Sequence, residues 1–160
     1  MIYLDADACP VKEQVYRVAA RYGVPVTVVA NAPLRVPPQA GLTAKVEVVP
    51  GSPDAADDWI AERAGAGDLV LTADIPLAAR AIANGARCLD FRGGEFHSSR
   101  IGDALASRDL NAYLRSIGLP TSGPPAFSAR DRGRFASALD AAVSKLAREE
   151  AMRRSASPPG

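Results

Sequence analysis

The apolar positions of residues 1–91 alternate between short continuous runs and stretches with helical spacing. The runs are rich in valine, isoleucine and leucine and predict buried strands, whereas the other stretches predict helices closed by glycine. The predicted strands are 2–4, 26–30, 44–49, 68–72 and 87–91, and the predicted helices are 11–22, 53–64 and 76–84. Such alternation indicates an α/β fold whose mostly parallel central sheet has helices on both faces.

After residue 94 the pattern predicts helices alone, over 99–107, 109–117 and 128–152. Ser128 and Asp131 resemble a capping box at the start of the last helix. We expect the apolar stripe of that helix to pack on the sheet; its members are Phe135, Leu139, Ala142, Val143 and Leu146. The sequence therefore predicts a single domain over 1–152 with a helical C-terminal region, followed by a disordered tail over 153–160.

The composition is that of a soluble globular protein. Of the 160 residues, 48% are hydrophobic and 23% are charged, which suits one domain and excludes a fibrous or disordered chain. The chain opens with neither a basic leader nor a long apolar run. We therefore expect a cytoplasmic protein without a membrane span.

Charge is distributed unevenly although the net charge is only +1. Residues 1–99 contain 9 basic and 12 acidic side chains, whereas residues 100–160 contain 10 and 6. An acidic first part and a basic second part fit a metal site beside a surface that binds a polyanion. A solvated helical face explains the same imbalance equally well.

Five aspartates fall where a parallel sheet brings side chains together. Asp5 and Asp7 follow the first strand, Asp54 and Asp57 lie in the first turn of a helix, and Asp74 follows another strand. The carboxyl ends of parallel strands share one edge of a sheet, so these distant segments are expected to converge. Carboxylates held close together repel one another, and a hard divalent cation offsets the repulsion. The sequence therefore predicts a site for Mg²⁺ or Mn²⁺.

Several of these acids also have a structural interpretation. The helix dipole favours Asp54 and Asp57 in a first turn, and Asp74 can cap the helix that contains Pro76. Asp5 is explained less well in this way, because an acid that ends an apolar strand in the middle of a sheet adds little stability.

Bound metal would support hydrolysis of a phosphodiester by activating a water and stabilising the leaving oxygen. Thr72, Asn31, Arg35 and Arg92 lie at strand ends or in adjoining loops, and are candidates for orienting the water or holding a phosphate. Ordinary loop hydrogen bonding is the competing interpretation for each of them. The single histidine, His97, excludes a site built from several histidines.

Three segments carry a distinctive sequence. Residues 5–12 read Asp-Ala-Asp-Ala-Cys-Pro-Val-Lys, residues 54–57 read Asp-Ala-Ala-Asp, and residues 72–78 read Thr-Ala-Asp-Ile-Pro-Leu-Ala. Together they resemble the bacterial YaiI/YqxD family of uncharacterised proteins, and the resemblance extends over nearly the whole chain. That family is similar to PIN-like domains, in which acids at strand ends and on a helix bind divalent metal for nuclease chemistry.

The resemblance implies a set of site residues and a reaction. It implies Asp5, Asp57 and Asp74 as the core catalytic and metal-binding set, with Asp7 and Asp54 as supporting ligands. The implied function is that of a divalent-metal-dependent nuclease, and RNA is the expected substrate.

Two other functions stay open from the sequence. Asp5 and Asp7 after an apolar strand are also typical of aspartyl-phosphate phosphatases, in which the first acid is the nucleophile and the second a general acid. That chemistry needs a downstream lysine, and the only lysine beyond Thr72 is Lys145 in the last helix. The other alternative is a non-catalytic module that binds RNA or a protein partner, because a site can persist on a fold without its reaction.

Overall fold

The computed structural model describes residues 1–119, 121 and 126–156. Its strands are β1 (Ile2–Asp5), β2 (Val26–Ala30), β3 (Ala44–Val48), β4 (Leu69–Leu71), β5 (Arg87–Leu89) and β6 (Glu95–Phe96). Its helices are α1 (Lys12–Tyr22), α2 (Pro53–Arg63), α3 (Ile75–Ala83), α4 (Ile101–Ser116) and α5 (Ala129–Ala156).

The strands form one sheet in the order β3-β2-β1-β4-β5-β6. The first five strands are parallel, and β6 runs antiparallel to β5. β1 occupies the centre, where Ile2 is aligned with Val26 of β2 and with Leu69 of β4. The chain builds the sheet outward from β1 to β3 and then from β4 to β6, so the strand order reverses between β1 and β4. In open α/β sheets that point of reversal is where ligands bind.

Helices cover both faces of the sheet, which confirms the predicted fold class. α1 and α5 enclose a core on one face that includes Leu4 and Phe135. α2 and α3 enclose a second core on the opposite face that includes Val70 and Leu77, and α4 packs against α3. No helix in the described ranges is long and apolar enough to cross a membrane.

The last helix begins as the sequence predicts. The backbone N–H of Asp131 donates to Ser128 Oγ over 3.2 Å, and the backbone N–H of Ser128 donates to the Asp131 carboxylate over 2.9 Å. These two bonds form a capping box. The predicted apolar stripe is buried, and the Phe135 ring meets the Phe91 ring edge-on with their centroids 6.3 Å apart.

The structure differs from the predicted elements in three places. α4 is one continuous helix instead of the two predicted over 99–107 and 109–117, because Arg108, which lies between them, is itself a good helix former. β6 has only two residues and is too short to show a periodicity. α5 continues to Ala156, so 153–156 of the predicted disordered tail are helical, and 157–160 lie outside the described residues.

The packing of α5 on the sheet predicts a large effect of Phe135→Ala. Phe135 has 0% of its surface exposed, and truncation removes the buried ring and leaves a cavity. We expect the free energy of unfolding to fall by about 3–5 kcal/mol, as measured by urea denaturation. Met152→Ala on the same helix is the control, since Met152 is 71% exposed and should change stability by less than about 0.5 kcal/mol. Equal losses in both variants would contradict this packing.

Candidate functional site

A hydrogen bond between the ends of β1 and β4 forms the centre of the candidate site. Asp5 is the last residue of β1, and Thr72 directly follows β4. The Thr72 hydroxyl donates to Oδ2 of Asp5 over 2.7 Å, and Thr72 is fully buried. The register causes this contact, because Leu4 is aligned with Leu71 and the next residue of each strand follows alongside. Asp5 therefore lies where the strand order of the sheet reverses.

Asp74 is hydrogen-bonded to Thr72, at the same pair of strand ends. Its backbone N–H donates to Thr72 Oγ1 over 3.0 Å, and its Oδ1 accepts a hydrogen bond from the backbone N–H of Leu77 over 2.8 Å. Asp74 is thus the N-cap of α3, as its structural interpretation predicts. Its other oxygen, Oδ2, accepts no hydrogen bond from the residues that the structure describes. Capping and ligand binding are therefore compatible for this carboxylate.

Asp57 approaches this edge from α2, which packs on β1 and α3. It is half-buried, and burial raises its pKa to about 7, with further contributions from the charges of Asp74, Asp5, Asp54 and Asp58. Among the described residues, the charged groups that contribute to this shift are all acids. Within the described part of the chain, no basic side chain forms an ion pair with it. The folded protein therefore disfavours the charged form of the Asp57 carboxylate. A bound cation would stabilise that charged form.

The pKa of Asp5 is also raised, and burial is again the main cause. The hydrogen bond from Thr72 opposes this effect because it stabilises the charged carboxylate, while the charges of Asp74 and Asp7 add to it. Asp5, Asp57 and Asp74 therefore act on one another electrostatically. The structure brings these predicted core acids to one edge of the sheet.

Asp7 and Asn31 connect the end of β2 to the same edge. The backbone N–H of Asn31 donates to both oxygens of the exposed Asp7 carboxylate, over 3.2 and 3.0 Å. The side-chain oxygen Oδ1 of Asn31 is buried and accepts no hydrogen bond from any described residue. A buried amide oxygen without a donor is unfavourable, so Oδ1 is available for a ligand.

We call the five aspartates the acidic rim; they are Asp5, Asp7, Asp54, Asp57 and Asp74. Among the described residues, no group of three or more histidine, cysteine, aspartate or glutamate side chains is already arranged to hold a metal ion. Two members of the acidic rim already accept hydrogen bonds from backbone N–H groups: Asp7 accepts from Asn31, and Asp74 accepts from Leu77. An ion shared by three acids would therefore require some of these side chains to turn toward one another.

The other predicted ligand-binding residues lie in three places. Thr72 and Asn31 lie at the acidic rim, and Arg35 is exposed in the connection between β2 and β3. Arg92 follows β5, and its Nη1 forms an ion pair with Asp131 of α5 over 3.1 Å. Arg92 therefore belongs to a separate group of charged residues on the α5 side of the sheet.

Sequence reasoning missed Phe127 and Arg132, which lie beside Arg92. The guanidinium carbons of Arg92 and Arg132 lie 5.6 and 5.9 Å from the centroid of the Phe127 ring. The sequence does contain a signal for this group, since arginine occupies positions 130, 132 and 134 at the start of a helix. The helix dipole disfavours cations there, so these arginines are not explained by helix stability.

The fold and the acidic rim define an α/β domain with carboxylates gathered at the reversal point of its sheet. The sequence model of the uncharacterised YaiI/YqxD family matches residues 3–145. The chain belongs to this family, which confirms the resemblance identified in its sequence.

The relatives cover almost the full chain. A UPF0178 protein of Caulobacter sp. (strain K31) is 54% identical over 150 residues, or 92% of this chain and 97% of that protein. Those of Rhodopseudomonas palustris (strain BisB18) and Rhodospirillum centenum are 52% and 51% identical over 147 and 151 residues. Each covers 92% of this chain, and the matched parts are 94% and 97% of those proteins. No solved structure matches the chain, so the similarity to PIN-like domains stays a prediction.

Asp57→Asn is expected to stabilise the metal-free protein above neutral pH. The Asp57 pKa of about 7 exceeds that of an unfolded aspartate, about 3.9, so unfolding releases a proton between these values. Asp57 therefore lowers the stability of the wild-type protein as the pH rises from about 4 to about 7, and the variant lacks this contribution. Because solvent screens a half-buried carboxylate, we expect a gain of about 1 kcal/mol, or about 2–4 °C in Tm.

Thermal unfolding in EDTA, followed by circular dichroism at acidic and alkaline pH, measures this gain. Asp58→Asn is the matched control, because Asp58 is the next residue of α2, is exposed and forms an ion pair with Arg80. That variant should not raise the Tm. A gain for Asp57→Asn that is equal at pH 4 and pH 8 would contradict the raised pKa of Asp57.

The bond between Thr72 and Asp5 predicts the effect of Thr72→Val, which removes the donating hydroxyl. Because that bond lowers the Asp5 pKa, its loss should raise the pKa further. Titration of the aspartate carboxyl carbons by ¹³C NMR measures the change. Thr72→Ser keeps a hydroxyl and should retain most of the wild-type pKa. The assignment of the bond fails if both variants titrate alike.

Proposed function

We propose that this protein is a nuclease that cleaves RNA with Mg²⁺ or Mn²⁺ bound at the acidic rim. One observation carries the proposal: burial, together with the charges of neighbouring acids, raises the pKa of Asp57 to about 7, and no basic side chain of the described residues forms an ion pair with it. A partly buried carboxylate that has no cationic partner is unfavourable in the folded protein. A divalent cation is the ligand that would offset the negative charges of these carboxylates.

The donor atoms suit a hard cation. Asp5, Asp57 and Asp74 would hold the ion, and the two other acids of the rim would support them. Oδ1 of Asn31 adds a buried oxygen that accepts no hydrogen bond from the described residues. Carboxylate and carbonyl oxygens are the ligands that Mg²⁺ and Mn²⁺ prefer.

The residues of the chain have separate parts in the proposed reaction. When bound, the metal supplies an activated water and stabilises the leaving oxygen of a phosphodiester. Thr72 orients Asp5 by donating to Oδ2, which leaves Oδ1 for the ligand. Asp74 is fixed at its Oδ1 by the start of α3, so its Oδ2 is the oxygen that can turn toward the ion.

A non-catalytic RNA-binding module is the second candidate. It is favoured by the finding that no three metal-binding side chains of the described residues are already arranged around one point. The phosphatase alternative gains no such support. Lys145, the lysine it would need, is exposed on α5 and pairs with Glu149 over 4.0 Å, and the Thr72 hydroxyl is bonded to Asp5.

Metal binding and RNA cleavage should depend on the same acids. We expect Asp57→Asn and Asp74→Asn to weaken Mn²⁺ binding by more than the 10- to 100-fold that is typical of outer-shell partners. Both variants should also lose Mn²⁺-dependent cleavage of a fluorescein-labelled single-stranded RNA. Calorimetry measures the first effect and gel electrophoresis the second. Asp58→Asn, which alters an exposed acid on the same helix, should keep both activities.

The possible results separate the two candidates. Unchanged Mn²⁺ affinity in both variants would exclude the acidic rim as the metal site. Metal binding by the wild-type protein without cleavage of any RNA would reject the nuclease and favour the non-catalytic module.

A further inference from the structure

A second candidate site lies where the turn after β5 meets the first turns of α5. The turn passes so close to the helix that a Cβ on Gly93 would stand 2.8 Å from the backbone of Arg134. Oδ1 of Asp90 closes the turn by accepting hydrogen bonds from the backbone N–H groups of Arg92 and Gly94, each over 2.8 Å. Turn and helix border an open cleft of about 840 Å³. That volume is in the range of ligand sites, about 300–1,000 Å³.

The surface around this cleft is basic because the arginines at the turn and at the start of α5 outnumber its acids. Asp90 accepts backbone N–H groups, and Asp131 accepts hydrogen bonds from Ser128 and pairs with Arg92. The remaining side chains at the start of α5 include three exposed arginines. We call the group the arginine cluster; it consists of Arg92, Arg130, Arg132 and Arg134.

An aromatic ring supports two members of the arginine cluster. Phe127 is half-buried against the core beneath α5, and the guanidinium groups of Arg92 and Arg132 both lie within 6 Å of its centroid. Contacts of this kind hold long arginine side chains near one place. Guanidinium groups bind phosphates through several N–H donors, and their planes also stack on unpaired bases. The cluster therefore has the chemistry of a surface for single-stranded RNA.

The basic surface continues toward the acidic rim. Arg132 and Lys12 line one depression together with Cys9, which lies two residues after Asp7. Nζ of Lys12 donates to the Cys9 carbonyl over 3.0 Å. Basic and acidic groups thus meet on one edge of the sheet.

We propose that the arginine cluster and Lys12 bind the phosphate backbone of single-stranded RNA and direct it to the acidic rim. The part of this inference that leads the RNA to the acidic rim rests on the proposed nuclease function. Binding of RNA to the arginine cluster does not require cleavage. The substrate class is an unpaired strand, because flat guanidinium groups can stack only on bases that are not buried in a duplex.

RNA binding by the full chain tests this inference without any metal. Fluorescence anisotropy with fluorescein-labelled oligouridine in EDTA would compare the wild-type protein with the double variant Arg132→Gln/Arg134→Gln. Lys145→Gln/Arg148→Gln is the matched control, because it removes two exposed charges from the other half of the same helix. We expect about tenfold or greater loss of affinity for the first variant and little change for the control. The negative slope of the logarithm of the binding constant against the logarithm of the salt concentration should become shallower by about 1.4 for the first variant only.

Failure of this inference can be distinguished from failure of the proposed nuclease. Loss of binding in Arg132→Gln/Arg134→Gln, with wild-type RNA binding retained by Lys145→Gln/Arg148→Gln, supports the cluster even if cleavage is never seen. Equal binding by both double variants overturns the cluster, whether or not the wild type cleaves RNA. Equal affinity for a duplex of the same length overturns the preference for a single strand.

Discussion

The in-register pairing of β1 with β4 is the interaction on which the site depends. It aligns Leu4 with Leu71 and thereby sets the Asp5 carboxylate beside the Thr72 hydroxyl, 2.7 Å away. Because helices bury both faces of the sheet, a carboxylate at this edge has little water around it, and one hydroxyl only partly stabilises its charge. The acids that arrive from α2 and α3 increase that instability. The whole arrangement disfavours the charged carboxylates, and this is the basis of the proposed metal site.

The uneven charge of the sequence becomes a spatial separation in the fold. Acids of the first part gather beyond β1 and β4, and arginines of the second part gather where α5 begins. The interpretation as a solvated helical face applies to the last turns of α5, where Glu150 pairs with Arg153 and Arg154. Those pairs belong to a solvated helical surface. At the opposite end of α5, Arg132 lies over Phe127 and Arg134 lines the cleft, and the helix dipole does not explain arginines at that end.

Most of the fold could be predicted because its signals are local. The strand over 26–30 is buried on both faces and reads as a continuous apolar run, and Gly23 ends α1 with a φ of 64° that favours glycine. The start of α5 is likewise specified by two neighbouring side chains. β6 could not be predicted, because a two-residue strand exists only through its partner β5. The continuity of α4 was not predicted because polar residues in the middle of a helix resemble the end of one helix and the start of another.

The sequence by itself determined the family, the alternation of strands and helices, and the acids that follow β1 and β4. Only the tertiary structure decided which acids share an environment. Asp54 and Asp57 are equivalent by spacing, yet Asp54 is exposed and Asp57 is half-buried among acids. Likewise, nothing local relates Arg92 to Phe127, because their contact exists only once α5 packs on the sheet. Burial and long-range contact depend on how elements pack, and a pattern of neighbouring residues does not contain that information.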